Sequence, residues 1–171
     1  MRKLILAVAA VALLAGCGGA AAKDEQEPAR AKPKVEQVEE KPKQPTAEQV
    51  TRQLAEAIPT VKLFRVYTAE DDPNDMLGRP GGYLSKTAFH DSRAKDEELE
   101  YLEKDAIERG GSVEMFATEQ EAKQRYEYLS EVVKAAAGLV GEYDYLSGTT
   151  VVRVSRFLTP DQAKEYEAVM R

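Results

Sequence analysis

Apolar positions fall into three regimes along the chain. Leu4 to Leu14 form an unbroken apolar run of 11 residues. Between Lys23 and Thr46 branched apolar residues almost vanish: Val35 and Val38 stand among six basic residues, six acidic residues and four prolines. From Ala47 onward apolar residues return, and their spacing switches between a helical period near 3.6 and a strand period of 2.

That switching predicts the elements. Val50, Leu54 and Ile58 recur every four residues and mark one face of a helix over 47–58, with Thr46 and Gln49 as a capping box and Pro59 as its stop. Val61 to Tyr67 and Tyr83 to Asp91 read as strands. The segment between them, dense in Asp, Asn, Pro and Gly, reads as loop. Lys95 to Arg109 is highly charged, with Leu99, Leu102 and Ile107 as apolar anchors, and is expected to be a surface helix closed by Gly110-Gly111. Ser112 to Ala117 follows as a short strand. Thr118 and Glu121 then open a helix in which Ala122, Tyr126, Leu129, Val133 and Ala136 keep helical spacing, and Gly138 is placed to end it. Glu142 to Leu146 and Thr149 to Arg156 form a hairpin about Ser147-Gly148. Thr159, Pro160 and Gln162 start a last helix with Ala163, Tyr166 and Met170 inward.

Strands joined by hairpins with helices interleaved predict an α+β fold, a two-layer sandwich. A mostly antiparallel sheet is covered by helices on one face, in a ferredoxin-like spirit. Residues 46–171 make one domain, which holds all eight tyrosines and all four phenylalanines.

The first regime is too short to be a permanent span, since crossing the hydrocarbon core takes ~20 apolar residues. Arg2 and Lys3 precede it, and it closes in Leu14-Ala15-Gly16-Cys17. Positive charge, an apolar run, two small residues and a cysteine together resemble the signal peptide and lipobox of bacterial lipoproteins. The resemblance implies a signal peptide over 1–16, removal of it before Cys17, and lipidation of that thiol. The chain is then held on the extracytoplasmic face of the cell membrane by two acyl chains on sulfur, enough for stable anchoring. Cys17 is the one cysteine, which leaves no intramolecular disulfide. Residues 17–45 cannot bury enough apolar surface to offset the entropy of ordering and read as a disordered tether, reaching roughly 30 Å or more.

Charge narrows the partners. Taking Arg2 and Lys3 from 24 basic residues leaves 22 against 30 acidic ones, a formal charge of −8 after cleavage. Such a surface repels phosphate backbones, so nucleic acid is not an expected partner. His90 is the single histidine and reads as a surface strand residue rather than a base or ligand. No Gly-x-Ser-x-Gly elbow, phosphate-binding loop or dinucleotide fingerprint occurs, and no cofactor or metal is expected.

One loop departs from the background. Glu70 to Tyr83 packs acids, an amide, an arginine and three glycines together, and Asp72, Asn74, Asp75, Arg79 and Tyr83 are the candidate binding residues. The spacing does not match an EF-hand. Its readings are a rigid Pro-Gly loop whose side chains cap its own backbone, a protein-binding loop, or a hard-cation site. Arg79 is the expected specific contact, because a guanidinium grips a carboxylate with two hydrogen bonds.

Asp72-Pro73-Asn74, Leu77-Gly78-Arg79-Pro80-Gly81, Gly111-Ser112-Val113-Glu114, Glu142-Tyr143-Asp144-Tyr145 and Leu158-Thr159-Pro160 together resemble an extracytoplasmic domain of lipoproteins and membrane-anchored proteins of Gram-positive bacteria. The resemblance spans about 60–170 and implies a Gram-positive cell surface but no activity. The expected function is a non-enzymatic binding module of the cell envelope, directed at an envelope protein or wall component. The alternatives are a prophage-type exclusion factor and an enzyme acting on wall polymer.

Overall fold

Each helix begins where a threonine can cap it. The computed structural model describes residues 44–136 and 141–171, all within one compact unit, Lys41–Arg171. Helices α1 (Ala47–Ala57), α2 (Glu119–Ala135) and α3 (Pro160–Val169) carry complete capping boxes from Thr46/Gln49, Thr118/Glu121 and Thr159/Gln162. The strands are β1 (Val61–Val66), β2 (Ser85–Asp91), β3 (Gly110–Met115), β4 (Glu142–Ser147) and β5 (Thr150–Ser155). The signal peptide 1–16, the tether from Cys17 to residue 43 and Gly138 lie outside the described residues. No helix among the described residues is long and apolar enough to cross a membrane.

The five strands form one antiparallel sheet in the order β1-β2-β3-β5-β4. The α+β class and the antiparallel sheet agree with the sequence reading. β1, β2 and β3 are a meander. β4 and β5 close a hairpin with Ser147 opposite Thr150, so that Gly148 (φ 55°) takes the first central position of a two-residue turn. β5 sits between β3 and β4, which therefore run parallel to each other on either side of it. With α2 as the crossover, these strands make a split βαβ unit.

The helices do not share one face. α1 and α3 pack on the face that presents Phe89, Val113, Met115, Val152 and Val154, with Leu54, Ile58, Ala163 and Tyr166 filling the space. α2 lies on the opposite face, where Ala122 and Leu129 meet Val151, Tyr83 and Phe116. Every residue of β3 is consequently buried. This corrects the two-layer expectation. The alternate positions of the strands carry charged residues that read as a solvated face, yet they are buried in pairs under a third layer.

Two further expectations are corrected. Lys95–Arg109 is not a helix but two 3-10 turns, Glu97–Tyr101 and Ile107–Arg109. Its apolar residues are three and five apart and make no stripe. Arg109 instead closes the segment by donating to the carbonyls of Leu99, Leu102 and Glu103. Gly110 and Gly111, expected to end that helix, open β3. A Cβ on Gly111 would lie 2.1 Å from the Arg153 carbonyl oxygen and 2.5 Å from the Phe89 ring, so only glycine lets these three strands close.

Candidate functional site

The charged face of the sheet is built from alternate positions of β2, β3, β5 and β4. Lys86 lies beside Glu114 in the β2–β3 register; Glu114 lies beside Val151 and Ser112 beside Arg153 in β3–β5; Arg153 lies beside Asp144 in β5–β4. Glu114 is fully buried. Arg125 of α2 grips it with Nε and Nη2 at 2.8 and 3.1 Å, and Arg153 reaches it at 3.5 Å. Arg153 also binds Glu142, at 2.8 and 2.9 Å to its two oxygens. Burial alone pushes the Arg153 guanidinium down, but Glu142 and Glu114 outweigh it and hold the pKa above the ordinary value.

The 68–84 loop is the second half of this layer. Asp72 is its centre. The Asp72 carboxylate accepts from Tyr83 Oη at 2.6 Å, from Lys86 Nζ at 2.9 Å, and from the backbone N–H of Asn74, Met76 and Leu77. Burial works to raise its pKa, but the Tyr83 hydroxyl, the Met76 N–H and the Lys86 ammonium prevail and hold it well below the usual carboxylate range. Burial and the Asp72 hydrogen bond push the Tyr83 phenol far up. Lys86 also faces the rings of Tyr67 and Tyr83, at 4.6 and 5.4 Å from their centroids.

Of the sequence-predicted residues, the structure brings Asp72, Asn74 and Tyr83 together, with Asn74 Nδ2 donating to Tyr83 Oη at 3.2 Å. Their side chains brace the loop. Asp75 and Arg79 pair with each other and stay exposed, away from that centre. Asp75 holds a positive φ of 54°, which aspartate tolerates in a turn. His90 stacks on Phe64 at 4.3 Å, and its Nε2 lies 2.7 Å from the Lys104 carbonyl. No group of three or more His, Cys, Asp or Glu among the described residues is arranged to hold a metal ion.

Between the loop and α2 lie two adjoining cavities of about 420 and 350 Å³, both lined by Asn74, Arg125 and Tyr128. Tyr128 is 57% exposed at their lip. A third cavity of about 330 Å³ holds Glu142 and Asp144 beside Tyr126 and Ser130. Sequence reasoning passed over Lys86, Glu114, Arg125, Glu142, Asp144 and Arg153. The one local signal for them is a charge inside an apolar strand, clearest in Val151-Val152-Arg153-Val154, which demands a buried partner.

Chemically, the groove offers the Asn74 amide and the exposed Tyr128 ring above an ion-paired floor, which suits recognition of a polar surface. Its paired carboxylates are less suited to acid–base work, since both oxygens of Glu142 are occupied by Arg153. Comparison with protein-family models, with curated proteins and with solved structures finds no match to this chain.

Proposed function

We propose that the chain is a lipid-anchored protein of the bacterial cell envelope, a non-enzymatic binding module that recognises an envelope protein or wall component. The groove between α2 and the 68–84 loop is its recognition surface. The observation that carries the reading is the preformed groove. Ion pairs lock its floor, Asp72 locks its rim, and Tyr128 stands exposed at its lip. Rigid aromatic and polar groups bind at small entropic cost. The anchoring part of the reading rests on Arg2, Lys3, the Leu4–Leu14 run and Leu14-Ala15-Gly16-Cys17, with a lipid on Cys17 and the tether 17–45 as the reach of the module.

Two measurements test it. Labelled palmitate is expected to enter the wild-type chain in bacteria and to be absent from Cys17→Ser; equal labelling of both would remove the anchor. Crosslinked envelope capture with the mature Cys17→Ser chain is expected to yield a partner that Tyr128→Ala loses. If Tyr128→Ala retains the partner and Arg79→Ala loses it, the recognition surface moves to the exposed Asp75–Arg79 tip of the loop.

A further inference from the structure

α2 is held to the sheet unevenly. Up to Leu129 it is clamped by Arg125 on Glu114 and by buried Ala122 and Leu129. Its second half lies over β4, which is an edge strand with one neighbour. Between that half and β4 sits Asp144, whose Oδ1 is buried and has no hydrogen-bond partner among the described residues.

The charges facing Asp144 do not balance. Glu142 shares its strand, Arg153 is its register partner on β5, and Glu114 on β3 and Arg125 on α2 complete the cluster. Three carboxylates thus meet two guanidiniums, and both guanidiniums are already engaged by Glu114 and Glu142. Lys134 of α2 reaches the mouth of the same cavity but is exposed. Among the described residues no side chain of α2 or β5 hydrogen-bonds or ion-pairs with Asp144.

We propose that Asp144 is a proton-operated latch between β4 and α2: neutral, it lets the two elements close over it, and ionised, it loosens the C-terminal half of α2 from the edge strand. A neutral carboxyl leaves the cluster at zero net charge and costs little to bury. An ionised one adds an uncompensated charge, and hydrating its buried Oδ1 from the adjoining cavity requires β4 to part from residues 130–135. Burial first, and then the neighbouring Glu142 carboxylate, push its pKa up to about 7, so the latch works across neutral pH. The sign is fixed by the raised value. Stability from this group is complete below the ordinary carboxylate range and is lost as pH rises through about 7.

The test uses the mature chain carrying Cys17→Ser. Carbon-13 NMR of the aspartate carboxyls is expected to place the Asp144 midpoint near neutrality. Amide exchange, corrected for its intrinsic pH dependence, is expected to lose protection in 130–135 and 142–146 by about tenfold between about pH 6 and 8, as linkage to one proton requires. Asp144→Asn is expected to hold that protection at both pH values. A midpoint near the usual value for aspartate overturns the proposal, as does unchanged protection in wild type or an equal loss in Asp144→Asn. Should Asp144→Asn not fold, the wild-type midpoint and exchange together decide.

Discussion

The two faces of the sheet are buried by different physics. Beneath α1 and α3 lie Phe89, Val113, Val152 and Val154, and polar groups are few: Thr51 bonds Thr87 at 2.7 Å, and Tyr166 donates to Asp91 at 2.7 Å. On the face of α2 and the 68–84 loop, beside a smaller apolar cluster of Tyr83, Phe116 and Val151, Lys86 pairs with Asp72, and Arg125, Glu114, Arg153 and Glu142 form a chain of ion pairs. The first face gains from every apolar area removed from water. The second must recover desolvation through geometry, and buried pairs of that kind are weak stabilisers that become costly when broken. The charged layer fixes where α2 and the loop stand, and so where the groove lies.

The sharpest way to break the comparison is to remove the shared acid. Glu114→Ala leaves Arg125 and Arg153 buried with one partner fewer, and a loss of ~3–5 kcal/mol in urea unfolding is expected. On the other face Phe89→Ala, which removes a fully buried ring, is expected to cost about the same by cavity formation. The discriminating readout is salt. Added salt screens the charges left by Glu114→Ala as water enters and should recover part of its loss, while the Phe89→Ala loss should not shrink. Equal salt responses would mean that the charged layer contributes by packing alone.

A smaller effect sets two carboxylates of the charged face against each other. The Asp72 pKa is lowered, so its contribution is present above the ordinary carboxylate range and disappears as pH falls below it. That loss is on the order of 2 kcal/mol for one strongly paired carboxylate. Asp144 has the opposite sign. Stability should therefore peak on the acid side of neutrality. Asp72→Asn is expected to flatten the acid limb of a thermal-melt series without touching the decline that Asp144 causes towards neutral pH, and part of the acid slope should survive because Asp91 is also lowered, its bonds from Arg93 prevailing over burial. An acid limb unchanged in Asp72→Asn would show that Lys86 and Tyr83 do not hold that carboxylate ionised.

What could be read from the chain follows the same divide. The caps, the presence of the five strands and the apolar face were legible because their signals are local: Thr46 with Gln49, Thr159 with Pro160 and Gln162, and the four-residue spacing of Val50, Leu54 and Ile58. The charged layer was not legible, because Glu114, Arg125, Glu142 and Arg153 lie far apart in sequence and meet only through the β3–β5–β4 order. Each alone reads as a solvated charge. The loop candidates show both outcomes in one stretch. Asp72 and Tyr83 drew notice for their chemistry, and that chemistry turned inward onto Lys86, while Asp75 and Arg79 stayed outside. Lys95–Arg109 forms no helix because its apolar anchors Leu99, Leu102 and Ile107, three and five residues apart, make no stripe, and charge density does not replace one.

The smallest expected effect tests whether the two faces also differ in cooperativity. Thr118 and Thr159 make the same capping box, so Thr118→Ala and Thr159→Ala should each cost ~1 kcal/mol. The losses should travel differently. α3 is tied into the core by buried Ala163 and by Tyr166, which stacks on Phe89 at 5.6 Å and bonds Asp91, so its weakening should lower global stability. α2 buries only Ala122 and Leu129 along its 17 residues, so its weakening should appear as local opening below the global transition. Native-state hydrogen exchange reads this directly. With Thr159→Ala, protection should fall throughout the sheet. With Thr118→Ala it should fall mainly over 119–135, leaving β2 and β3 near wild type. Uniform loss in both variants would mean that the ion pairs bind α2 to the sheet as cooperatively as apolar contacts bind α3, and that the groove beneath α2 is as rigid as the core.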